Sequence, residues 1–163
     1  MVYLWDVVQI LLVFVFVGLN AFFVAAEFAL VTVRWTRIEE LVGQKRFGAV
    51  SVRDAIEKLD DSIAATQLGI TFSSLALGWL GEPALAHLLH PIFDALPGVW
   101  GPALTHGAAV ALAFMIITFL HVVLGELAPK AIALERAEDV ALVVAAPLML
   151  FARVFRPFIH FMN

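Results

Sequence analysis

The chain has 163 residues, of which 63% are hydrophobic and 15% charged, and its mean hydropathy is +0.97. Soluble domains average about 45–50% apolar and roughly 25% charged residues, and a chain this short cannot enclose such an apolar surplus in one core. The composition therefore predicts an all-α integral membrane domain whose surplus faces lipid. The sequence contains no cysteine, which excludes disulfides, thiolate metal sites and a cysteine nucleophile.

Three apolar runs are predicted to cross the membrane. The first, residues 7–33, is long enough to cross a hydrocarbon core of about 30 Å. It does not resemble a signal peptide, because Asp6 precedes it and the basic residues follow it. The second span covers residues 63–80, and the Gly-Glu-Pro sequence at 81–83 is expected to end it. The third span covers residues 107–124.

The remaining segments are predicted to be amphipathic. Residues 34–61 mix basic and acidic side chains with apolar residues at helical spacing, which predicts two juxtamembrane helices broken near Gly43 to Gly48. The tail at residues 137–161 has an apolar core that is shorter than the roughly 17–25 residues needed to cross a bilayer, and Pro147 interrupts it. The tail is therefore predicted to form an interfacial belt helix and not a fourth span.

The distribution of basic residues sets the orientation. Every Lys and Arg lies either between the first two spans or from Lys130 onward, and residues 81–106 contain none. The positive-inside rule then places the N-terminus outside and both basic regions in the cytoplasm. Three crossings satisfy this pattern and four do not. The sequence thus predicts a multi-pass protein of the plasma membrane, the inner membrane of a bacterium, with a cytoplasmic C-terminus.

Each span carries a stripe of polar or small residues on one helical face. Such residues are costly in lipid and usually face an interior or a cavity. At a rise of about 1.5 Å per residue, the depths of the stripes allow them to meet in the cytoplasmic half of the bilayer. The stripes consist of Asn20, Val24 and Glu27 in the first span, Gln67, Thr71, Ser74 and Gly78 in the second, and Thr118, His121 and Gly125 in the third.

The sequence Gly-Glu-Leu-Ala-Pro-Lys at residues 125–130 follows the third span. Pro129 has no N–H to donate to the carbonyl four residues earlier, which belongs to Gly125. That carbonyl and the adjacent Glu126 carboxylate are oxygen ligands of the kind that hard cations such as Mg²⁺ or Na⁺ take. Broken helices at membrane depth are tolerated where they line a cavity, and in transporters they mark ion sites. The segment therefore predicts a cation site.

Structural roles stay open for several of these residues. Gly and Pro are frequent in membrane helices, and Ser or Thr often bonds to its own helix or to a neighbouring one. His121 fits a hydrogen-bonded interior residue better than a metal ligand. Glu27 suits an ion pair with Arg34 or Lys130. Glu126 is the residue that a structural role explains least, because its acid coincides with the helix break.

Three segments, at residues 19–30, 67–74 and 125–130, resemble the transmembrane domain of the CorC/CNNM family, and the resemblance covers essentially the whole chain. It implies a homodimer with three spans per subunit and a cytoplasmic helical belt. It also implies Mg²⁺ export coupled to Na⁺ influx, and cytoplasmic CBS modules that bind ATP with Mg²⁺ after Asn163. The chain itself has no Gly-rich phosphate loop, so we expect no nucleotide site here. No nucleic-acid partner is expected either.

The resemblance also implies a ligand set for the cation. Family members often have serines where this chain has Asn20 and Val24, and asparagines where it has Thr71 and Ser74, so the ligands differ in detail. No catalytic or cofactor-binding residues are expected, and the protein is not expected to be an enzyme. The expected metal ligands are Asn20, Thr71, Ser74, Gly125 and Glu126, supported by Glu27, Gln67, Pro129 and Lys130.

Two other classes of function compete with a transporter. An intramembrane metal hydrolase is disfavoured, because the sequence lacks a His-Glu-x-x-His motif and its five histidines are scattered. A membrane scaffold that senses Mg²⁺ and regulates partners without transporting the ion has the same sequence features as a transporter. Flux measurements separate the last two classes.

The predicted topology is testable by cysteine labelling, since the chain has no native cysteine. Ala95→Cys and Gly98→Cys should react with an impermeant thiol reagent added to intact cells. Gln44→Cys, in the predicted cytoplasmic segment, should react only after the cells are opened. Labelling of Gln44→Cys from outside would rule out the three-span orientation.

Overall fold

The computed structural model describes residues 2–94 and 102–162. Within these ranges the chain is helical and contains no β-strand, which confirms the all-α fold class. The elements are α1 (Val2–Thr32), α2 (Trp35–Gly43), α3 (Ala49–Glu57), α4 (Leu59–Asp94), α5 (Pro102–Leu120), a π-helix (His121–Leu127), α6 (Ala128–Glu135), α7 (Ala137–Val154) and α8 (Arg156–Met162).

Three helical stretches are long and apolar enough to cross a membrane, which confirms the number and order of the predicted spans. They are Val7–Thr32 in α1, Leu59–Phe93 in α4, and Leu104–Glu135, which runs from α5 through the π-helix into α6. Residues 95–101, in the middle of the predicted external connection, lie outside the described residues, and so do the two labelling positions in that connection.

Helix α4 is much longer than the predicted second span. The prediction that residues 81–83 end this helix is wrong, because α4 continues through Pro83 to Asp94. Proline has a φ that fits a helix, and it costs one hydrogen bond and a steric clash. Packing offsets this cost, since Leu77 before the proline and Leu85 after it belong to the same apolar cluster. Tertiary contacts thus outweigh a local signal for helix termination.

Two apolar clusters hold the helices together. The smaller one contains Val13, Val17, Leu77 and Ile117 and joins the first half of α1 to α4 and α5. The larger one joins the second half of α1 to α2, α3, α4, α6, α7 and α8. Asn20 lies in the part of α1 between the two clusters. Buried members of the larger cluster include Phe23, Ala26, Ala29, Leu30, Ile38, Leu41, Val52, Ala133, Ala145 and Leu148.

The amphipathic helices pack against the larger apolar cluster. Helices α2 and α3 separate at residues 44–48, which confirms the two predicted juxtamembrane helices, and they bury Ile38 and Val52 completely. The predicted belt helix is instead a pair of helices, α7 and α8, which separate at Phe155. Pro147 does not interrupt α7, because buried residues on both sides of it pack into the larger cluster.

An ion pair at the surface ties α2 to α7. Arg37 Nε lies 3.1 Å from a carboxylate oxygen of Glu138, and Arg37 Nη1 lies 2.6 Å from one of Glu40. The hydrogen bond from Arg37, together with its positive charge, lowers the pKa of Glu40 below its usual value. Exposed ion pairs of this kind contribute little stability, so the pair orients α2 against α7 while the apolar cluster holds them together.

Gly48 supports the sharpest test of this packing. It joins α2 to α3 with a φ of 85°, a conformation in which a side chain is strained, and an added Cβ would collide with the backbone carbonyl of Leu142 in α7. We expect Gly48→Ala to lower the free energy of unfolding by about 2 kcal/mol or more, because the left-handed backbone alone costs roughly 1–2 kcal/mol. Thermal unfolding in a mild detergent measures this change.

Gly43→Ala is the matched control. Gly43 is helical and no atom lies within 4 Å of the position that its Cβ would take. Alanine should therefore be neutral or slightly stabilising there. Equal unfolding temperatures for the two variants would contradict the described contact between α7 and the turn that joins α2 to α3.

Candidate cation site

The site is built on the π-helix that connects α5 to α6. The N–H of Ala128 donates to the carbonyl of Val123, five residues earlier, in place of the usual four. The sequence predicted a broken helix at this point, and that detail is wrong, because the chain stays helical through Glu135. The wider turn absorbs the disturbance at Pro129, which is buried in the first turn of α6.

The π-helix changes which side chains share a face. In an α-helix, residues five apart point about 140° away from each other. The wider turn reduces that angle and brings His121 and Glu126 together, with His121 Nε2 3.5 Å from Glu126 Oε1. His121 is mostly buried and Glu126 is about half exposed. The Glu126 carboxylate therefore lies at the edge of this group of polar side chains, within reach of an ion or of water.

Asn20 connects the three spans at this level. Its side chain is completely buried in α1, and its Nδ2 donates to the Gly125 carbonyl at 3.0 Å. Its Oδ1 accepts a hydrogen bond from the Ser74 hydroxyl of α4 at 3.2 Å. The same hydroxyl lies 3.2 Å from His121 Nε2. One amide, one hydroxyl, one imidazole and one freed carbonyl thus form a continuous polar network between α1, α4 and the π-helix.

Gly125 is required by this close approach. An added Cβ would lie 3.0 Å from His121 Cδ2 and 3.2 Å from Asn20 Nδ2, which is tighter than ordinary contact. The absence of a side chain allows the Asn20 amide to reach the Gly125 carbonyl directly. The residue that the sequence identified as a freed carbonyl is therefore also the residue that makes room for its hydrogen-bond donor.

Not all of the predicted ligands lie together. Thr71 and Gln67 are exposed on the outer side of α4. The face of α4 that packs inward is a neighbouring one, on which Ser73 and Leu77 are buried, and Ser74 lies at its edge. Helical spacing predicted one face for Thr71 and Ser74, but it could not show which edge of that face turns towards α1.

The supporting residues lie beside the network. Glu27 is partly buried in α1, on the C-terminal side of Asn20. Lys130 is exposed, and its Nζ lies 4.4 Å from the centroid of the Phe28 ring, a distance typical of a cation–π contact. Val24 is buried and offers no side-chain oxygen.

His121 belongs to the network although it is not among the metal ligands that the sequence predicts. His121 is an interior residue with hydrogen-bonding neighbours, as its position in the third span predicts, and Glu126 is one of those neighbours. The available signal was the spacing of five residues between His121 and Glu126, combined with Pro129. A proline that follows such a pair favours a widened turn, which aligns them.

The chemistry of this network suits a hard cation. Carboxylate, carbonyl, amide and hydroxyl oxygens are the ligands that Mg²⁺ prefers, whereas zinc selects thiolates and imidazoles. Within the described side chains there is no cluster of three or more His, Cys, Asp or Glu that could hold a metal. In this network Glu126 supplies a charged oxygen, and Asn20, Ser74 and the Gly125 carbonyl supply neutral ones.

Known proteins are similar to this chain along nearly its whole length. A family model described as the Cyclin M transmembrane N-terminal domain matches residues 10–163. The UPF0053 proteins YhdT and YhdP of Bacillus subtilis (strain 168) are 46% and 44% identical over 158 and 160 residues, each match covering 97% of this chain. An uncharacterised protein of Mycobacterium tuberculosis, Rv1841c, is 45% identical over 154 residues, or 94% of this chain.

The relatives are considerably longer than this chain. The matched region makes up 34% of YhdT, 35% of YhdP and 43% of Rv1841c. The chain thus spans about a third of the length of the two Bacillus proteins. The similarity concerns the membrane domain of these proteins.

Two adjacent serines test the network. Ser74→Ala removes the hydroxyl between Asn20 and His121. Hydrogen bonds between membrane helices contribute about 0.6 kcal/mol on average and up to roughly 1.7 kcal/mol, so we expect this variant to lose about 1 kcal/mol of stability. Ser73 Oγ is buried without a hydrogen-bond partner among the described residues, so Ser73→Ala should be neutral or slightly stabilising. Thermal unfolding in detergent compares the two, and the reverse order of stabilities would contradict the network.

Proposed function

We propose that this chain, which belongs to the Cyclin M (CorC/CNNM) family of transmembrane domains, is the membrane-spanning part of a Mg²⁺ transporter. The observation that carries the proposal is the hydrogen bond from the buried Asn20 amide to the Gly125 carbonyl, in a network that reaches the Glu126 carboxylate through His121. Three helices converge there with oxygen groups that a dehydrated Mg²⁺ needs. The proposed role is transport of an ion and not catalysis.

The proposed ligands are Asn20 Oδ1, the Ser74 hydroxyl, the Gly125 carbonyl and the Glu126 carboxylate. As the groups are arranged, the nitrogen of the Asn20 amide and not its oxygen faces the Gly125 carbonyl. Binding of a cation between these groups would require the carboxamide to rotate, so that Oδ1 turns towards the ion. The amide donor and the cation would thus compete for the same carbonyl, and this competition provides a route for releasing the ion.

The proposed direction is export of Mg²⁺ driven by Na⁺ influx, as the family resemblance implies. The distribution of basic residues supports a position of the network in the cytoplasmic half of the membrane, where it would meet cytoplasmic Mg²⁺. Carbonyl oxygens at irregular helical turns also coordinate Na⁺ in transporters, so the same groups are suited to hold the two ions in turn.

The proposed assembly is a two-fold homodimer in the plasma membrane. Gln67 and Thr71 lie on an exposed side of α4, where Phe72 and Trp79 are 63% and 80% exposed. Polar side chains that face lipid are costly, and a second copy that covers this side would remove the cost. The CBS modules that the resemblance implies would lie in the part of the full-length relatives that this chain does not cover.

Glu126→Gln tests the site directly. The variant keeps the shape of the side chain and removes the charge that best offsets a dehydrated dication. We expect Mg²⁺ binding to weaken by much more than about tenfold, which corresponds to about 1.4 kcal/mol. Asn20→Ala should weaken binding less, because it removes a neutral oxygen. The rise of the unfolding temperature during a Mg²⁺ titration measures each affinity.

Glu82→Gln makes the same chemical change on another helix, α4, and serves as the control, with unchanged Mg²⁺ binding expected. The site assignment fails if Glu126→Gln retains the wild-type response to Mg²⁺. Loss of that response in Thr71→Ala, with a normal response in Glu126→Gln, would place the ion on the outer side of α4 instead.

A further inference from the structure

A basic pocket lies where α3 meets α4 and α7 meets α8, away from the cation site. Its volume is about 210 Å³. Polar and charged residues form one side of it, and apolar residues form the other. The lining consists of Lys58, Asp61, Ser62, Met149, Ala152, Arg153, Arg156 and Ile159.

Two helix junctions supply the cations of this pocket. Lys58 is the residue that separates α3 from α4. Arg153 lies in the last turn of α7, and Arg156 begins α8. Ser62 fixes the first junction, because its hydroxyl donates to the Ala55 carbonyl of α3 at 2.9 Å. The fold thus brings together basic residues that are almost a hundred positions apart in the sequence.

The positive charge of the pocket is not balanced by the residues that line it. Three cations face one carboxylate, that of Asp61. None of the three belongs to an ion pair between residues that the structure describes, although the arginines of α2 and α3 do form such pairs. The dipole at the end of α7 accounts for Arg153 alone, and Asp61 lies in the first turn of α4, where a carboxylate is favourable. The unbalanced charge favours an anionic ligand.

The apolar side of the pocket narrows the choice of anion. Met149, Ala152 and Ile159 pack in or against the larger apolar cluster and form a hydrophobic wall. Nearby, Phe155 between α7 and α8 is 43% exposed, and Phe158 in α8 is 51% exposed. A free phosphate ion makes no use of such surfaces, whereas the glycerol and acyl parts of a lipid do.

We propose that this pocket binds the phosphate of an anionic phospholipid, such as phosphatidylglycerol, from the cytoplasmic leaflet. Lys58, Arg153 and Arg156 would donate to the phosphate oxygens, and the acyl chains would lie along Phe155 and Phe158. Basic pockets beside membrane helices on the cytoplasmic side are suited to such head groups. The bound lipid would connect the α3–α4 junction to the α7–α8 junction and so stabilise the packing of these helices. This proposal rests on the predicted topology and does not depend on Mg²⁺ transport.

The test compares three additives to the chain purified in a neutral detergent: phosphatidylglycerol, phosphatidylcholine and inorganic phosphate. Phosphatidylglycerol should raise the unfolding temperature, and the other two should not. In the double variant Arg153→Gln with Arg156→Gln, the apparent affinity for phosphatidylglycerol should fall about fivefold for each charge removed. The double variant Arg153→Lys with Arg156→Lys keeps both charges and should retain most of the response, which separates loss of binding from loss of folding.

The double variant Lys45→Gln with Arg46→Gln is the matched control, because it removes two charges from the turn between α2 and α3, outside the pocket. It should respond to phosphatidylglycerol as the wild type does. Equal losses in the two glutamine variants would show general surface attraction and overturn the site. Equal stabilisation by inorganic phosphate would show an anion site without lipid selectivity and overturn the lipid assignment.

Discussion

The hydrogen bond from the buried Asn20 amide to the Gly125 carbonyl is the constraint on which the rest of this membrane domain depends. A buried amide without partners costs several kcal/mol, roughly 2–7 depending on the reference environment. Asn20 is completely buried, so α1 must keep a register that presents it to Gly125 and Ser74. The two apolar clusters lie on either side of this residue and hold that register. Packing and polar pairing thus support each other along α1.

The π-helix serves this constraint in two ways. Its neighbouring proline leaves the Gly125 carbonyl without its usual helical donor, so that Asn20 can bond to it. Its wider turn also aligns His121 with Glu126, which brings a carboxylate to the imidazole of the same network. An ordinary α-helix would direct these two side chains apart. Irregular helical turns are associated with functional sites because they present backbone oxygens that a regular helix consumes.

The all-α membrane class, the number of spans and the amphipathic helices were predictable from the sequence, because each depends on local hydrophobicity and its period. The end of α4 was not, since packing around Leu77 and Leu85 carries the helix past Pro83. The same limit applies to the tail, where α7 passes Pro147 without interruption. Proline is a reliable signal for a missing hydrogen bond, but tertiary contacts decide whether the helix ends there.

The candidate site could be predicted in its main parts and not in its geometry. Asn20, Ser74, Gly125 and Glu126 were identified from spacing and chemistry, and the structure brings them close to one another. The outward position of Thr71 depends on which side of α4 packs against α1, and helical periodicity contains no such information. The alignment of His121 with Glu126 depends on a turn that α-helical spacing does not represent.

The central claim is that an ion crosses the membrane through this network, and Mg²⁺ flux tests it most directly. The chain would be reconstituted into liposomes that contain a Mg²⁺-sensitive dye, and the dye signal would be followed after opposing Mg²⁺ and Na⁺ gradients are imposed. We expect flux for the wild type and for Glu82→Gln, and loss of flux in Glu126→Gln. Absence of flux in a folded wild-type protein that still binds Mg²⁺ would indicate a sensor, and undiminished flux in Glu126→Gln would contradict the proposed route.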